Sequence, residues 1–316
     1  MFGELKRLLV VITESSPPEE AIDRAVFLTR DSRGELTLLH VAEGLSDDVR
    51  AVLPGNALDK LAAASIEQQK ERLSSLARRA REQGVSPDTK HVRGSPYRLA
   101  IREVIEGRYD LLIKAVDTLR SDWRAPRGST DNHLLRKCPC PVWLESPRHS
   151  GGIKNILAAV DPNPDDEEQY ALSRRILAAA VDLASRTGAR LHVLHAWSVL
   201  GEFLMYKQRP LVSDPETDHI VGQAFNRHSR FLDEVCETVP ASIELKKHLM
   251  HQSAAPAIVD LVESESVDLL VLGTIGRSGV PGLLIGNTAE AVLGEVTCSV
   301  LAFKPAGFES PVAPVQ

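Results

Sequence analysis

The sequence lacks the features that would place the protein in a membrane or outside the cell. Its 316 residues include no apolar run near the roughly 18–20 residues that a bilayer-spanning helix needs, so we expect no membrane insertion. The apolar stretch Leu8–Ile12 is too short for the core of a signal peptide. Four cysteines are too few for a disulfide framework, so a reducing cytoplasm is the expected compartment.

An excess of positive charge is also absent. The chain has 37 Lys and Arg residues against 43 Asp and Glu residues, which gives a net charge of −6 at pH 7. This balance argues against non-specific binding to nucleic acid or to anionic membrane surfaces. We therefore expect no nucleic-acid partner.

The familiar signatures of hydrolytic, redox and zinc chemistry are missing as well. The sequence contains no Ser-His-Asp order, no Gly-x-Ser-x-Gly elbow and no Walker lysine behind its glycine-rich segment. Cys138-Pro-Cys140 does not have the Cys-x-x-Cys spacing, and no second cysteine pair completes a four-ligand zinc site. We expect both cysteines to be small buried residues.

Histidines occur in pairs on two predicted strands. His192 and His195 are three residues apart, as are His248 and His251, and His40 in the first half aligns with His195. Residues three apart on a strand point to opposite faces, so neither pair can share a metal ion. The sequence therefore predicts structural histidines with satisfied hydrogen bonds.

The glycine-rich segment Gly273–Asn287 is the most informative feature that is present. Its glycines have the spacing Gly-x2-Gly-x9-Gly-Asn, between a predicted strand that ends at Leu272 and a predicted helix over Thr288–Val296. A strand, a glycine-rich loop and a helix start together present unpaired backbone N–H groups to an anion. Gly273 and Gly276 would let the backbone approach a ribose and phosphates, and both tolerate positive φ. The alternative is a glycine-rich turn that binds nothing.

A degenerate copy of this segment lies 158 positions earlier in the chain. The aligned pairs are Tyr109–Ile113 with Val267–Val271, Gly128–Thr130 with Gly286–Thr288, and Cys140–Val142 with Cys298–Val300. At the first two glycine positions the earlier copy has Ala115 and Thr118. The chain therefore consists of two homologous halves, of which only the second keeps the loop.

The order of predicted elements gives the fold class. Strands alternate with helices of ten or more residues, which predicts parallel βαβ units with helices on both faces of the sheet. We predict an α/β protein with two tandem five-stranded parallel-sheet domains, residues 1–147 and 152–310, joined by the polar linker Ser146–Gly152. The last strands, Pro141–Leu144 and Ser299–Phe303, would otherwise be exposed edges, so we predict that they meet in an intrachain pseudo-dimer.

Several segments resemble the universal stress protein family in its tandem form. They are Val271–Glu290, Leu134–Trp143, and the strand ends Leu38–Val41 and Val193–Ala196. The resemblance covers nearly the whole chain. It implies an adenine nucleotide α-hydrolase-like fold and, in many members, ATP binding through a Gly-x2-Gly-x9-Gly-(Ser/Thr) loop. Members without the loop do not bind ATP.

The resemblance also implies which residues contact a nucleotide. They are Asp161, Ala196, Gly273, Gly276, Arg277, Gly286, Asn287 and Thr288. Asp161 would lie near the adenine or ribose, although it is also a natural turn former; its first-half counterpart is Thr13. Arg277 either adds charge to a phosphate or is solvated. Asn287 departs from the usual Ser or Thr, but its amide still donates.

Three functions remain open from the sequence. The leading one is a cytoplasmic stress-response protein that binds ATP, with or without Mg²⁺, and hydrolyses it very slowly or not at all. The second is a carrier or sensor of a small apolar, lipid-like metabolite, suggested by the apolar stretches Ala51–Leu58 and Phe203–Tyr206. The third, an enzyme acting on the α-phosphate, lacks its Ser-Gly-Gly-x-Asp-Ser loop at Val10–Ser16 and at Val160–Asp165. A homodimer of tandem chains is also left open.

Overall fold

The chain forms two compact units, called the first and second domain below. Among the described residues the first unit comprises those up to residue 147 together with 308–312, and the second comprises those from 152 to 307. A computed structural model describes residues 5–43, 55–117, 129–147, 152–199, 214–274 and 287–312. Within these ranges, no helix has both the length and the apolar character needed to cross a membrane.

The first domain alternates strands and helices throughout. Its elements are β1 (Arg7–Ile12), α1 (Glu19–Ser32), β2 (Glu35–Ala42), α2 (Gly55–Glu82), β3 (Asp88–Arg93), α3 (Pro96–Gly107), β4 (Leu111–Ala115), α4 (Ser129–Lys137) and β5 (Val142–Glu145). The strand order is β3-β2-β1-β4-β5, and neighbouring strands are parallel. Leu8 of β1, for example, is in register with Leu36 of β2 and Leu111 of β4.

The second domain repeats this arrangement. Its elements are β6 (Asn155–Ala159), α5 (Glu167–Thr187), β7 (Arg190–Trp197), α6 (Asp214–Cys236), β8 (Leu245–His251), α7 (Ala254–Ser264), β9 (Leu269–Gly273), α8 (Asn287–Glu295) and β10 (Ser299–Phe303). The strand order is β10-β9-β6-β7-β8, again with parallel neighbours. The predicted fold class of two tandem five-stranded parallel sheets is confirmed. The pairing of the two last strands stays a prediction.

Strands β1 and β9 contain continuous apolar runs because helices cover both faces of each sheet. Leu8–Ile12 of β1 and Leu269–Leu272 of β9 are buried at every position, which is the pattern of a parallel sheet. In the first domain α1 contacts α2, and α3 contacts α4. In the second domain α5 packs on β6 and β9, whereas α7 contacts α8.

Helix α5 shows how local sequence sets an element's ends. The carboxylate of Asp166 accepts a hydrogen bond from the backbone N–H of Gln169 at 3.1 Å, and Gly188 closes the helix with φ 71°. Both are standard helix-terminus chemistry. The acidic run 165–168 thus lies at the start of a helix, where the helix dipole favours negative charge.

Candidate functional site

The candidate site lies at the carboxyl edge of the second sheet. Strand β6 pairs with β7 on one side and with β9 on the other, and Ala158 is in register with both Val193 and Val271. Asp161, Ala196 and Gly273, which follow or end these three strands, therefore lie along one edge. The carboxyl edge of a parallel sheet is where such folds bind ligands.

Asp161 has a fixed backbone and an accessible carboxylate. Its N–H donates to the hydroxyl of Ser173 on α5 at 3.0 Å, and its carbonyl accepts from the N–H of Asn163 at 2.9 Å. Its side chain is 34% exposed, with Oδ1 lying 3.9 Å from Nδ1 of His195. Asp161 thus forms the turn expected of it, and its carboxylate still reaches solvent.

His195 links three elements beneath this carboxylate. The side chain is 1% exposed. Its Nδ1 lies 3.3 Å from the carbonyl of Val160, and its Nε2 lies 2.8 Å from Nδ1 of His228 on α6. Since a carbonyl only accepts, the proton belongs on Nδ1 of His195, and His228 donates to Nε2. The prediction of a satisfied structural histidine is confirmed here.

A stack of aromatic rings continues the site at the end of β7. Trp197 stacks on His228 with ring centroids 5.2 Å apart, and on His251 with centroids 4.2 Å apart. Trp197 is 4% exposed, and its buried Nε1 has no hydrogen-bond partner among the described residues. The sequence does not predict this stack, because its members come from two strands and a helix.

Gly273 is a glycine for a reason that the sequence does not reveal. A Cβ atom at this position would lie 2.9 Å from Cδ2 of Leu172 on α5. Its φ is not positive, so the conformational freedom expected of this glycine is not used. Close packing of α5 on β9 accounts for the residue.

The rest of the predicted loop lies outside the described residues. Gly276, Arg277 and Gly286 belong to that group, and for Asn287 and Thr288 only the helical backbone is described. Helix α8 begins at Asn287, so a helix start follows the glycine-rich segment as predicted. The apolar stretch Phe203–Tyr206 and the first half of Ala51–Leu58, residues 51–54, also lie outside the described residues.

The corresponding edge of the first domain contains an internal polar network. Lys114 of β4 is fully buried, and its Nζ lies 2.5 Å from Oδ1 of Asp117 and 2.9 Å from Oδ1 of Asp131. The N–H of Asp117 donates to Oδ2 of Asp131 at 3.1 Å, and the hydroxyl of Ser15 donates to Asp117 at 2.5 Å. Thr13, the counterpart of Asp161, contacts the same hydroxyl at 3.0 Å.

This network puts a carboxylate at a helix start. Asp131 lies in the first turn of α4, where the second domain has Ala289 in α8, and Lys114 takes the place of Leu272. Burial raises the pKa of the Asp131 carboxyl, and the Lys114 ammonium opposes that shift. A phosphate at this helix start would meet an existing negative charge. A lysine inside an otherwise apolar strand is the sequence signal for this network.

Two other buried histidines depart from the prediction. Nε2 of His40 and Nε2 of His192 are buried with no hydrogen-bond partner among the described residues. Burial lowers the pKa of His40 to about 4 and also lowers the pKa of His192. The prediction of satisfied hydrogen bonds is therefore wrong for one nitrogen of each ring.

Comparison with known proteins gives the family. The universal stress protein family model matches residues 4–144 and 152–304. Universal stress protein E of Salmonella typhi is 29% identical over 97% of this chain and 96% of its own length, and that of Escherichia coli strain K12 is 27% identical over 97% and 96%. A crystal structure of a Pseudomonas aeruginosa UCBPP-PA14 universal stress protein superposes with a TM-score of 0.68, at 27% identity, covering 96% of this chain and 95% of that one.

Proposed function

Because the chain belongs to the universal stress protein family, which its two matched segments establish, we propose that it is a cytoplasmic stress-response protein holding one adenine nucleotide in its second domain. The observation that carries the proposal is the contrast between the two carboxyl edges. The second domain has an accessible carboxylate at Asp161, whereas the first has the buried Lys114–Asp131 pair. None of the four cysteines forms a disulfide, and all four are buried, which suits a reducing compartment.

The sugar and phosphates are assigned to Asp161 and to the start of α8. The Asp161 carboxylate accepts from a ribose hydroxyl or an adenine amino group, and its backbone is already held by Ser173. The first backbone N–H groups of α8 have no partners within the helix and favour a phosphate. In this proposal Gly276 and Gly286 give the phosphates access to backbone, and Arg277 and Thr288 add donors.

The adenine is assigned to the end of β7. Ala196 is partly exposed there and offers its backbone to the base edge. The buried indole N–H of Trp197 is a donor that lacks a partner among the described residues. In this proposal the flat adenine lies beside the ring stack at the end of β7, because aromatic groups favour offset stacking.

Turnover of the nucleotide is proposed to be very slow or absent. A general base needs a free lone pair within reach of the attacking water. His195 is buried, with its Nδ1 directed at a carbonyl and its Nε2 accepting from His228. His195, which lies 3.9 Å from the Asp161 carboxylate, is therefore already committed on both nitrogens. ATP would then act as a bound signal, with Mg²⁺ accompanying the phosphates.

The test is calorimetric titration of ATP into the parent chain and the Asp161→Ala variant. Removing the acceptor should cost about 1–3 kcal/mol, which is roughly a tenfold to hundredfold loss of affinity. Thr13→Val, the matched change in the first domain, should leave the affinity unchanged. Equal affinities for parent and Asp161→Ala, with circular dichroism showing both folded, would sink the assignment of Asp161.

The loop is tested by two further variants. Gly276→Val should abolish binding, because a β-branched side chain would occupy the place of the ribose and phosphates. Asn287→Ser should bind equally well or more tightly, since it restores the hydroxyl usual in the family. If the parent binds no ATP at millimolar concentration and an intact-ligand mass spectrum shows an acyl species, the apolar-metabolite function replaces this one.

A further inference from the structure

The second domain carries a group of side chains that nucleotide binding does not use. His192 of β7, His248 of β8 and Glu265 at the end of α7 each offer one ligand atom, and these atoms lie within 4.8 Å of one another. His192 is fully buried, and the Glu265 side chain is 22% exposed. His192 and His195 are three residues apart on β7, so the group lies on the opposite face of the sheet from His195, the histidine beside Asp161.

Sheet register and helix packing bring the three residues together. His192 is in register with Lys246 of β8, so His248 stands two positions further on and faces the same side of the sheet. The two rings stack with centroids 5.3 Å apart, and Nδ1 of His192 lies 3.0 Å from Nε2 of His248. Helix α7 packs on β7 and brings Glu265 to the same side.

We propose that His192, His248 and Glu265 form a binding site for a divalent transition-metal ion of the zinc type. Two imidazole nitrogens and a carboxylate oxygen, with water in the fourth position, are a donor set that Zn²⁺ accepts. Tetrahedral ligands about 2.0–2.1 Å from zinc are about 3.3 Å apart. The two ring nitrogens are already near that separation, so small side-chain rotations complete the site.

The Glu265 carboxylate has an oxygen to spare for an ion. Lys246 pairs with one carboxylate oxygen, and the second oxygen remains for the ion.

The first domain supplies a natural control. His40 and His91 also stack, with centroids 5.1 Å apart and their Nδ1 atoms 3.2 Å apart. In the described part of the chain this pair has no third ligand within the same reach. The His40–His91 pair shows that two stacked histidines can simply share a hydrogen bond. The second domain differs because the carboxylate of Glu265 supplies a third ligand.

The experiment is a Zn²⁺ titration of the full chain after treatment with EDTA, read by competition with a chromogenic chelator. We expect one strong equivalent per chain in the parent. His248→Ala and Glu265→Gln should each weaken binding at least tenfold, and both positions are accessible enough to keep the fold. The matched variant His91→Ala should bind Zn²⁺ like the parent. Substitution by Co²⁺ should give visible absorption that Glu265→Gln changes.

The outcomes separate this proposal from the nucleotide proposal. ATP affinity should be the same in parent and Glu265→Gln, because His192 of the metal site and His195 beside Asp161 point to opposite faces of the sheet. No strong equivalent in the parent overturns the metal site, whatever the result with ATP. The site is also wrong if either His248→Ala or Glu265→Gln, shown to be folded, binds Zn²⁺ as tightly as the parent.

Discussion

At the scale of single residues, the fold opposes the protonation of His40. It is fully buried, and burial together with the positive charge of neighbouring groups lowers its pKa to about 4. The unfolded chain takes up this proton near pH 6.5. Between these values the unfolded state binds more protons than the folded state, so stability falls as the pH is lowered from about 6.5 to about 4.

A His40→Leu variant should lose this part of the pH dependence. Between pH 7.5 and 5.5 the parent should lose about 1.3 kcal/mol more free energy of unfolding than the variant, from the proton uptake of this one group. Urea unfolding of both proteins at the two pH values measures the difference. Identical pH dependence in parent and variant would show that His40 is protonated as easily when folded as when unfolded.

The Lys114–Asp131 pair gives a second prediction at this scale. Lys114→Leu alone leaves a fully buried carboxylate without its cation, which should cost about 3–5 kcal/mol of unfolding free energy. The double change Lys114→Leu with Asp131→Ala installs the residues that the second domain has at Leu272 and Ala289, and should recover at least half of that loss. Urea unfolding of the parent, the two single variants and the double variant completes a double-mutant cycle. If the losses of unfolding free energy in the two single variants add up to the loss in the double variant, the pairing is contradicted.

Some contacts between single residues could not be predicted from the sequence. Asp161, Ala196 and Gly273 each lie at the carboxyl end of a predicted parallel strand, so the sequence places them on one edge of the sheet. The approach of His192 to His248 depends on the register between parallel strands. Because a whole helix separates such strands in the chain, the sequence carries no local signal for their register.

At the scale of elements, the predicted alternation of strands and helices is observed throughout the described residues. Continuous apolar runs mark the strands, and Gly or Pro marks many of the ends. The bounds shift by a few residues where cap geometry decides them: the acidic run predicts a start of α5 at Asp165, whereas the helix begins at Glu167. Asp165 and Asp166 are both acidic, so composition alone does not show which of them caps the helix.

Asp166→Ala therefore tests the start of α5. It removes the carboxylate that accepts from Gln169 and should cost about 1 kcal/mol of unfolding free energy. Its neighbour is the control: Asp165 is exposed and pairs with Arg227 on α6, so Asp165→Ala should cost less than about 0.5 kcal/mol. Urea unfolding of both variants decides the matter, and an equal or larger loss for Asp165→Ala would contradict the capping role.

At the scale of the whole molecule, one topology occurs twice with different chemistry at the carboxyl edge. We expect one nucleotide per chain, because the first domain has Lys114 and Asp131 where a ligand would need an open helix start. Titration calorimetry with a known concentration of folded chain gives the stoichiometry. Two equivalents of ATP per chain would show that the internal network opens to admit a ligand.

The contact between Gly273 and Leu172 has a consequence for any transplant of the loop. In the second domain Cδ2 of Leu172 lies where a Cβ atom at position 273 would need space. The glycine and the helix that packs on it therefore belong together, so a graft that exchanges the loop must exchange α5 with it.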